Sequence, residues 1–148
     1  MRLAEIAAAD LADLFERRPH LGRLHRDRVL CVALCQGAAL HCLDGRTGVK
    51  DFDVWTFFSA GEGRPFPFRR RGRGSFDASG PFGGKRVDLM GRTLPEPRDA
   101  DPLEAVRRYL GAGRTRSARL LAEKAVVMLA PAHLRGTVAW PSGREIPG

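Results

Sequence analysis

Three aspartates stand in strand-like sequence that would ordinarily carry no charge. In "KDFDVWTFF", Asp51 and Asp53 flank Phe52 within a run of Phe, Val and Trp. Side chains alternate along a strand, so the two acids face one way while Phe52 and Val54 face the core. Twice the rise per residue puts their Cα atoms about 6.6 Å apart, close enough to converge on shared cations. Aspartate is depleted in strand interiors and costly to bury alone. The pair therefore needs a metal, an arginine, or water at an exposed edge. In "KRVDLMG", Asp88 is again a lone carboxylate between Val87 and Leu89. If that strand pairs beside the other, a spacing of about 4.8 Å brings Asp88 to the same cluster. Three such carboxylates suit two Mg²⁺ (or Mn²⁺) ions about 3.5–4 Å apart, an arrangement used for in-line phosphoryl and nucleotidyl transfer. Their hard oxygens are what magnesium prefers.

Upstream, "VALCQGAALHCL" reads as strand, glycine, helix. Gly37 lets a backbone approach without a Cβ, and the amides opening the short helix can grip a phosphate. An apolar residue, glycine and a small residue, then a helix and turn, then acid–apolar–acid–apolar on a strand, form a recognisable set. Here it reads "QGAALHCLDGRTGVKDFDVW", with "RVDLMG" further on. This resembles the signature of the nucleotidyltransferase fold, the polymerase β superfamily. The helix-like "GAALHCL" is similar in particular to small stand-alone bacterial nucleotidyltransferase-like proteins. The resemblance spans roughly residues 28 to 92. It implies that Asp51 and Asp53 ligate the metals that hold a nucleoside triphosphate (NTP). Asp88 would be the third catalytic carboxylate, ligating the catalytic metal and helping to activate the attacking hydroxyl. Gly37 and Ala38 would form the nucleotide-binding turn. The family usually has Gly or Ser where this chain has Ala38, so a hydroxyl contact to phosphate is lost while the backbone amides remain.

Other residues admit two readings. Lys124 shares a helical face with Ser117 and Leu121 in "SARLLAEKAVVML", from which its ammonium either reaches a triphosphate or stays solvated. Arg46 and Lys50 flank the proposed cleft, as phosphate-neutralising or as plain turn residues. Trp55 and Phe57 share the aspartate face and either stack a base or close the core. Cys31, Cys35 and Cys42 are too few for a disulfide framework. Two of them with neighbouring His41 could be imagined around zinc. However, Cys31 and Cys35 lie inside "RVLCVALC", where buried free cysteine packs as a small hydrophobe, and a cytoplasmic location is expected.

The elements that must position these groups follow from periodicity. Leu3, Ile6, Ala7, Leu11, Leu14 and Phe15 mark an N-terminal helix over 3–17. "DRVLCVALC", "VKDFDVWTFF" and "KRVDLMGR" read as strands, with "AALHCLD" a short helix between the first two. Residues 59–84 are a long loop or an irregular hairpin. "LEAVRRYL" and "SARLLAEKAVVML" read as C-terminal helices over about 101–130, and "GTVAWPSGREIPG" adds an edge strand. The expected fold is α+β (α/β-type) and nucleotidyltransferase-like: one domain over 1–148 with a small mixed sheet carrying helices on one face. No apolar run approaches the ~20 residues of a membrane span.

A net charge of +8, almost wholly from arginine, invites a polyanionic partner. The Arg64–Arg73 stretch, "RPFPFRRRGR", with Phe66 and Phe68 interleaved, is either a nucleic-acid contact or a solvated loop. Without an obvious acceptor-binding domain, a partner protein or homodimer could complete the cleft. The functional expectation is metal-dependent transfer of a nucleoside monophosphate from NTP to a hydroxyl. The alternative is a catalytically inactive module of the same fold that binds nucleic acid or a partner protein through its Arg-rich surface.

Overall fold

A computed structural model describes residues 2–67, 72–76 and 80–148, with only the backbone at 72 and 73. Among these the chain runs α1 (Leu3–Arg17), α2 (Pro19–His25), a 3₁₀ turn (Arg26–Arg28), β1 (Val29–Cys35), α3 (Gln36–Asp44), β2 (Phe52–Phe58), β3 (Gly72–Ser75) and β4 (Arg86–Thr93). It continues with α4 (Pro102–Ala112), α5 (Arg116–Ala122), β5 (Val126–Ala130), a second 3₁₀ turn (Ala132–Leu134) and β6 (Val138–Trp140). The strands form one mixed sheet in the order β3-β4-β2-β1-β5-β6. β1 is antiparallel to both β2 and β5, whereas β2 and β4 run parallel. The α+β class expected from periodicity is the one observed.

The expected cover of one face is corrected to two. Val32, Leu34, Phe52, Val54, Val87 and Leu89 pack with Ile6 and Ala7 of α1 and with Ala38, Ala39 and Leu43 of α3. On the opposite face Ala33, Cys35, Trp55, Phe57, Val126 and Met128 pack with Ala105, Val106 and Leu110 of α4 and Leu121 of α5. The physical reason is in the strands themselves. β1 and β2 are apolar at both alternations, and a strand with two apolar faces needs cover on both.

Two further expectations change. The helix expected through 129 stops at Ala122, and the apolar run after it is β5, inserted between β1 and β6. Val127 faces the α1/α3 cluster while Val126 and Met128 face the α4/α5 cluster, the alternation of a strand with both sides buried. The Gly-, Pro- and Arg-rich segment contributes β3, which pairs antiparallel with β4. Phe68, Arg69, Arg70 and Arg71, within the stretch expected to contact nucleic acid, lie outside the described residues. Upstream of them, Phe66 is buried against Phe58, their rings stacked at 4.2 Å, so it offers no exposed stacking surface. A Cβ on Gly91 would run into the Phe66 ring, so glycine at 91 is what lets that ring lie on β4.

His25, at the end of α2, is buried beside these rings and meets Phe58 and Phe66 edge-on. Burial, and secondarily the charge of Arg28, hold its imidazole below the ordinary value of 6.5. The unfolded chain therefore binds more protons than the folded one just below that value, and stability falls as pH drops. In phosphate-free buffer the thermal midpoint should decline between about pH 7 and pH 5, above the carboxylate range. The decline should shrink in His25→Phe; equal slopes for the two proteins would show that His25 is not its source.

Candidate functional site

One transverse line of paired residues crosses the sheet: Trp140, Val126, Cys35, Asp53, Asp88 and Arg73, one from each strand. Asp53 and Asp88 are thus direct Cα partners on parallel neighbours, about 4.8 Å apart, and leave the same face of the sheet. Strand alternation puts that face on the α4/α5 side, where Cys35 and Trp55 also point. Asp88 is buried and Asp53 half-buried. Asp51 stands one residue before β2.

Arg86 joins the acids. Its Nη2 donates to Asp51 Oδ2 at 3.1 Å and lies 3.0 Å from Asp88 Oδ2, so one guanidinium nitrogen bridges two carboxylates. The strands explain this local geometry. Arg86 precedes Asp88 by two residues and shares its face, while the β2–β4 register sets Asp51 beside it. Arg86 is half exposed and the Asp88 side chain is 13% exposed, so the buried acid has its partner at the rim.

The strand-to-helix turn lies at the same end of the sheet. Gln36, directly after Cys35, takes φ +63, a left-handed conformation uncommon for a residue with a side chain. Cys35 supplies no side-chain cap, and α3 therefore opens without one. Gly37 does not carry the unusual backbone. A Cβ there would meet Gly48 O at 3.6 Å, an ordinary contact, so the described residues leave room for one. Ala38 is buried in the α1/α3 cluster. Its side chain packs in the core and is closed to a ligand. Lys124 is not on a helix. It is exposed in the turn between α5 and β5, two residues before Val126, and so belongs to the same sheet end as Cys35 and Asp53.

The neighbouring groups are structural. Asp44 accepts from the amides of Arg46 and Thr47 and from the Thr47 hydroxyl, which lowers its carboxyl to about 2. Arg46 is thereby a turn residue, as one of its two readings had it. Trp55 and Phe57 stack at 6.1 Å and are buried, which makes them core residues. Burial first, then the charges of Asp53 and Cys31, push the Cys35 thiol well above its ordinary range. Cys35 is therefore an inert core thiol, and no disulfide joins the three free cysteines.

The donors at 51, 53 and 88 are chemically right for a hard divalent cation. Among the described residues no three acidic, thiol or imidazole side chains converge closely enough to hold a metal, and the cation between Asp51 and Asp88 is Arg86. For a divalent ion to enter between Asp51 and Asp88, the half-exposed Arg86 guanidinium would have to turn outward. Sequence reasoning missed Arg86, although its i, i+2 spacing to Asp88 was a readable signal. It also missed a cleft of ≈ 470 Å³ at the far end of β4, where Arg92 lies over the Tyr109 ring and Arg108 pairs with Glu96. Among the described residues no helix is long and apolar enough to cross a membrane. Compared with protein-family models, with curated proteins and with solved structures, the chain matches none.

Proposed function

We propose that this chain is a metal-dependent nucleotidyltransferase-like protein that moves a nucleoside monophosphate from NTP to a hydroxyl acceptor. The observation that carries the reading is the register of β2 and β4, which sets Asp53 opposite Asp88 with Asp51 within reach of the same guanidinium. Asp51, Asp53 and Asp88 would hold Mg²⁺, which when bound supplies charge neutralisation on the phosphates and a lower pKa for the attacking hydroxyl. The residues of the chain do the rest. Asp88, the most enclosed of the three, orients the acceptor hydroxyl beside the α-phosphorus. The α3 amides from Gly37 onward and Lys124 receive the triphosphate. Arg86, released from Asp51 and Asp88, turns to the departing pyrophosphate. The acceptor oxygen forms a bond to phosphorus, the bond to pyrophosphate breaks, and the hydroxyl proton leaves through Asp88 or water. The buried free thiols suit a reducing compartment such as the cytoplasm.

A second reading has its own observation. Arg86 already neutralises two of the acids, and Ala38 contributes no hydroxyl, as in a fold that has kept its carboxylates for structure and binds nucleic acid or a partner protein through arginine. Titration with Mn²⁺ separates the two. A divalent ion about 4–5 Å from a guanidinium meets a repulsion of about 1–2 kcal/mol in water-like dielectric. Arg86→Met should therefore tighten Mn²⁺ binding about tenfold, and adding Asp88→Asn should abolish the gain. If neither wild type nor Arg86→Met takes up Mn²⁺, with or without a non-hydrolysable NTP, the transferase reading fails.

A further inference from the structure

The sheet end opposite the carboxylates carries a second polar centre that transfer chemistry does not use. Ser59 directly follows β2 and Thr93 ends β4, so both stand at the carboxyl ends of the parallel pair. Six residues of strand separate Ser59 from Asp53, about 20 Å. Here α2, the first 3₁₀ turn and the loop Ser59–Pro65 enclose a cleft of ≈ 240 Å³. Its lining includes His25, Arg28, Ser59, Glu62, Arg64 and Thr93.

Among the described residues, two atoms of this lining lack partners. Ser59 is 1% exposed and His25 is 3% exposed, yet among the described residues neither Ser59 Oγ nor His25 Nε2 has a hydrogen-bond partner. Buried polar groups are almost always paired, and leaving one unpaired is disfavoured, so two on one cleft require an explanation. Thr93, whose hydroxyl accepts from the Phe66 amide, bonds to neither atom. The Arg28 guanidinium lies across the Gly61 backbone and donates to Leu24 O and Ala60 O, which fixes a positive charge over the cleft. Arg64 adds a second guanidinium at the exposed rim, and Glu62 is the acid facing them. The lining is therefore net positive, and a hydroxyl and an imidazole nitrogen remain to be used.

We propose that this cleft binds a phosphate-class oxyanion, held by the Ser59 hydroxyl, by His25 Nε2–H and by the Arg28 and Arg64 guanidiniums. Charge-assisted donors of this kind match a tetrahedral anion with several acceptor oxygens. The volume suits inorganic phosphate or the phosphoryl end of a small phosphomonoester. No metal takes part, so the site and the carboxylate cluster stand or fall separately.

The test is a titration with inorganic phosphate in EDTA, followed through the ring ¹⁵N resonances of His25 and the thermal midpoint. A saturable shift of His25 Nε2 with a rise of several degrees in the midpoint is the expected result, unchanged in Asp53→Asn. Ribose 5-phosphate in a parallel arm separates the sources: tighter binding than phosphate assigns the site to a phosphomonoester, and equal or weaker binding to the free anion. Arg64→Ala should weaken binding about tenfold, a loss typical of one charge-assisted contact. Ser59→Ala should weaken it similarly while leaving the phosphate-free protein at least as stable, since it removes an unpaired hydroxyl. His25 resonances that do not move in 20 mM phosphate, equal shifts with acetate, or an Arg64→Ala protein that titrates like wild type would each overturn the proposal.

Discussion

Asp53→Asn is expected to lower transfer of α-labelled phosphate from NTP by at least about a hundredfold, the scale of removing one preorganised electrostatic group from a reacting centre. The change keeps the volume of the side chain and removes its charge. Asp53 is the central member of the acid row, in register with Asp88 on one side and Cys35 on the other. Asp51 and Asp88 are linked through Arg86, so two acids without the third leave too little negative charge to hold a divalent ion against a guanidinium. The exposed Asp13→Asn, which loses an equal charge in α1 and an ion pair with Arg17, is the control and should leave transfer intact. Transfer by Asp53→Asn at the wild-type rate would remove the basis of the catalytic assignment.

Phe57→Ala is expected to remove about 3–5 kcal/mol of stability, the usual loss when a buried aromatic is cut back to a methyl. Phe57 is fully buried, stacks on Trp55 at 6.1 Å and meets the Tyr109 ring at 6.0 Å, so it ties β2 to α4. Against a total of about 5–15 kcal/mol for a domain, such a loss brings the fold near its limit. Denaturant melts should show a lower midpoint at an unchanged slope. Phe57→Leu, which keeps most of the volume, should lose much less. A midpoint for Phe57→Ala equal to wild type would mean that α4 is held to the sheet by other contacts.

The position of the acids was legible because strand alternation is strict. A period of two aims Asp53 and Asp88 out of their apolar runs whatever the remaining fold does, and the register then makes them neighbours. Two-face cover is also written in the residues, since Val54 and Phe58 alternate with Trp55 and Phe57 along β2, and two apolar sets need more than the single covered side expected. The run after α5 could not be settled this way. "AVVMLA" is short and apolar throughout, equally suited to a helix's last turns or a buried strand. What decides it is β1, which pairs through Val32–Cys35 with residues 126–130.

By itself, then, the chain determined which residues carry charge out of the strands, where the first helix lies, and that helices pack against a sheet. These are local matters of period and polarity. Only the tertiary structure decided that Arg86 links Asp51 to Asp88, that Lys124 leaves a turn at the same end of the sheet, and that Ser59 and His25 line one cleft at the other, unpaired among the described residues. Each of those depends on register between segments far apart in sequence, and long-range register is fixed by which faces must be buried together.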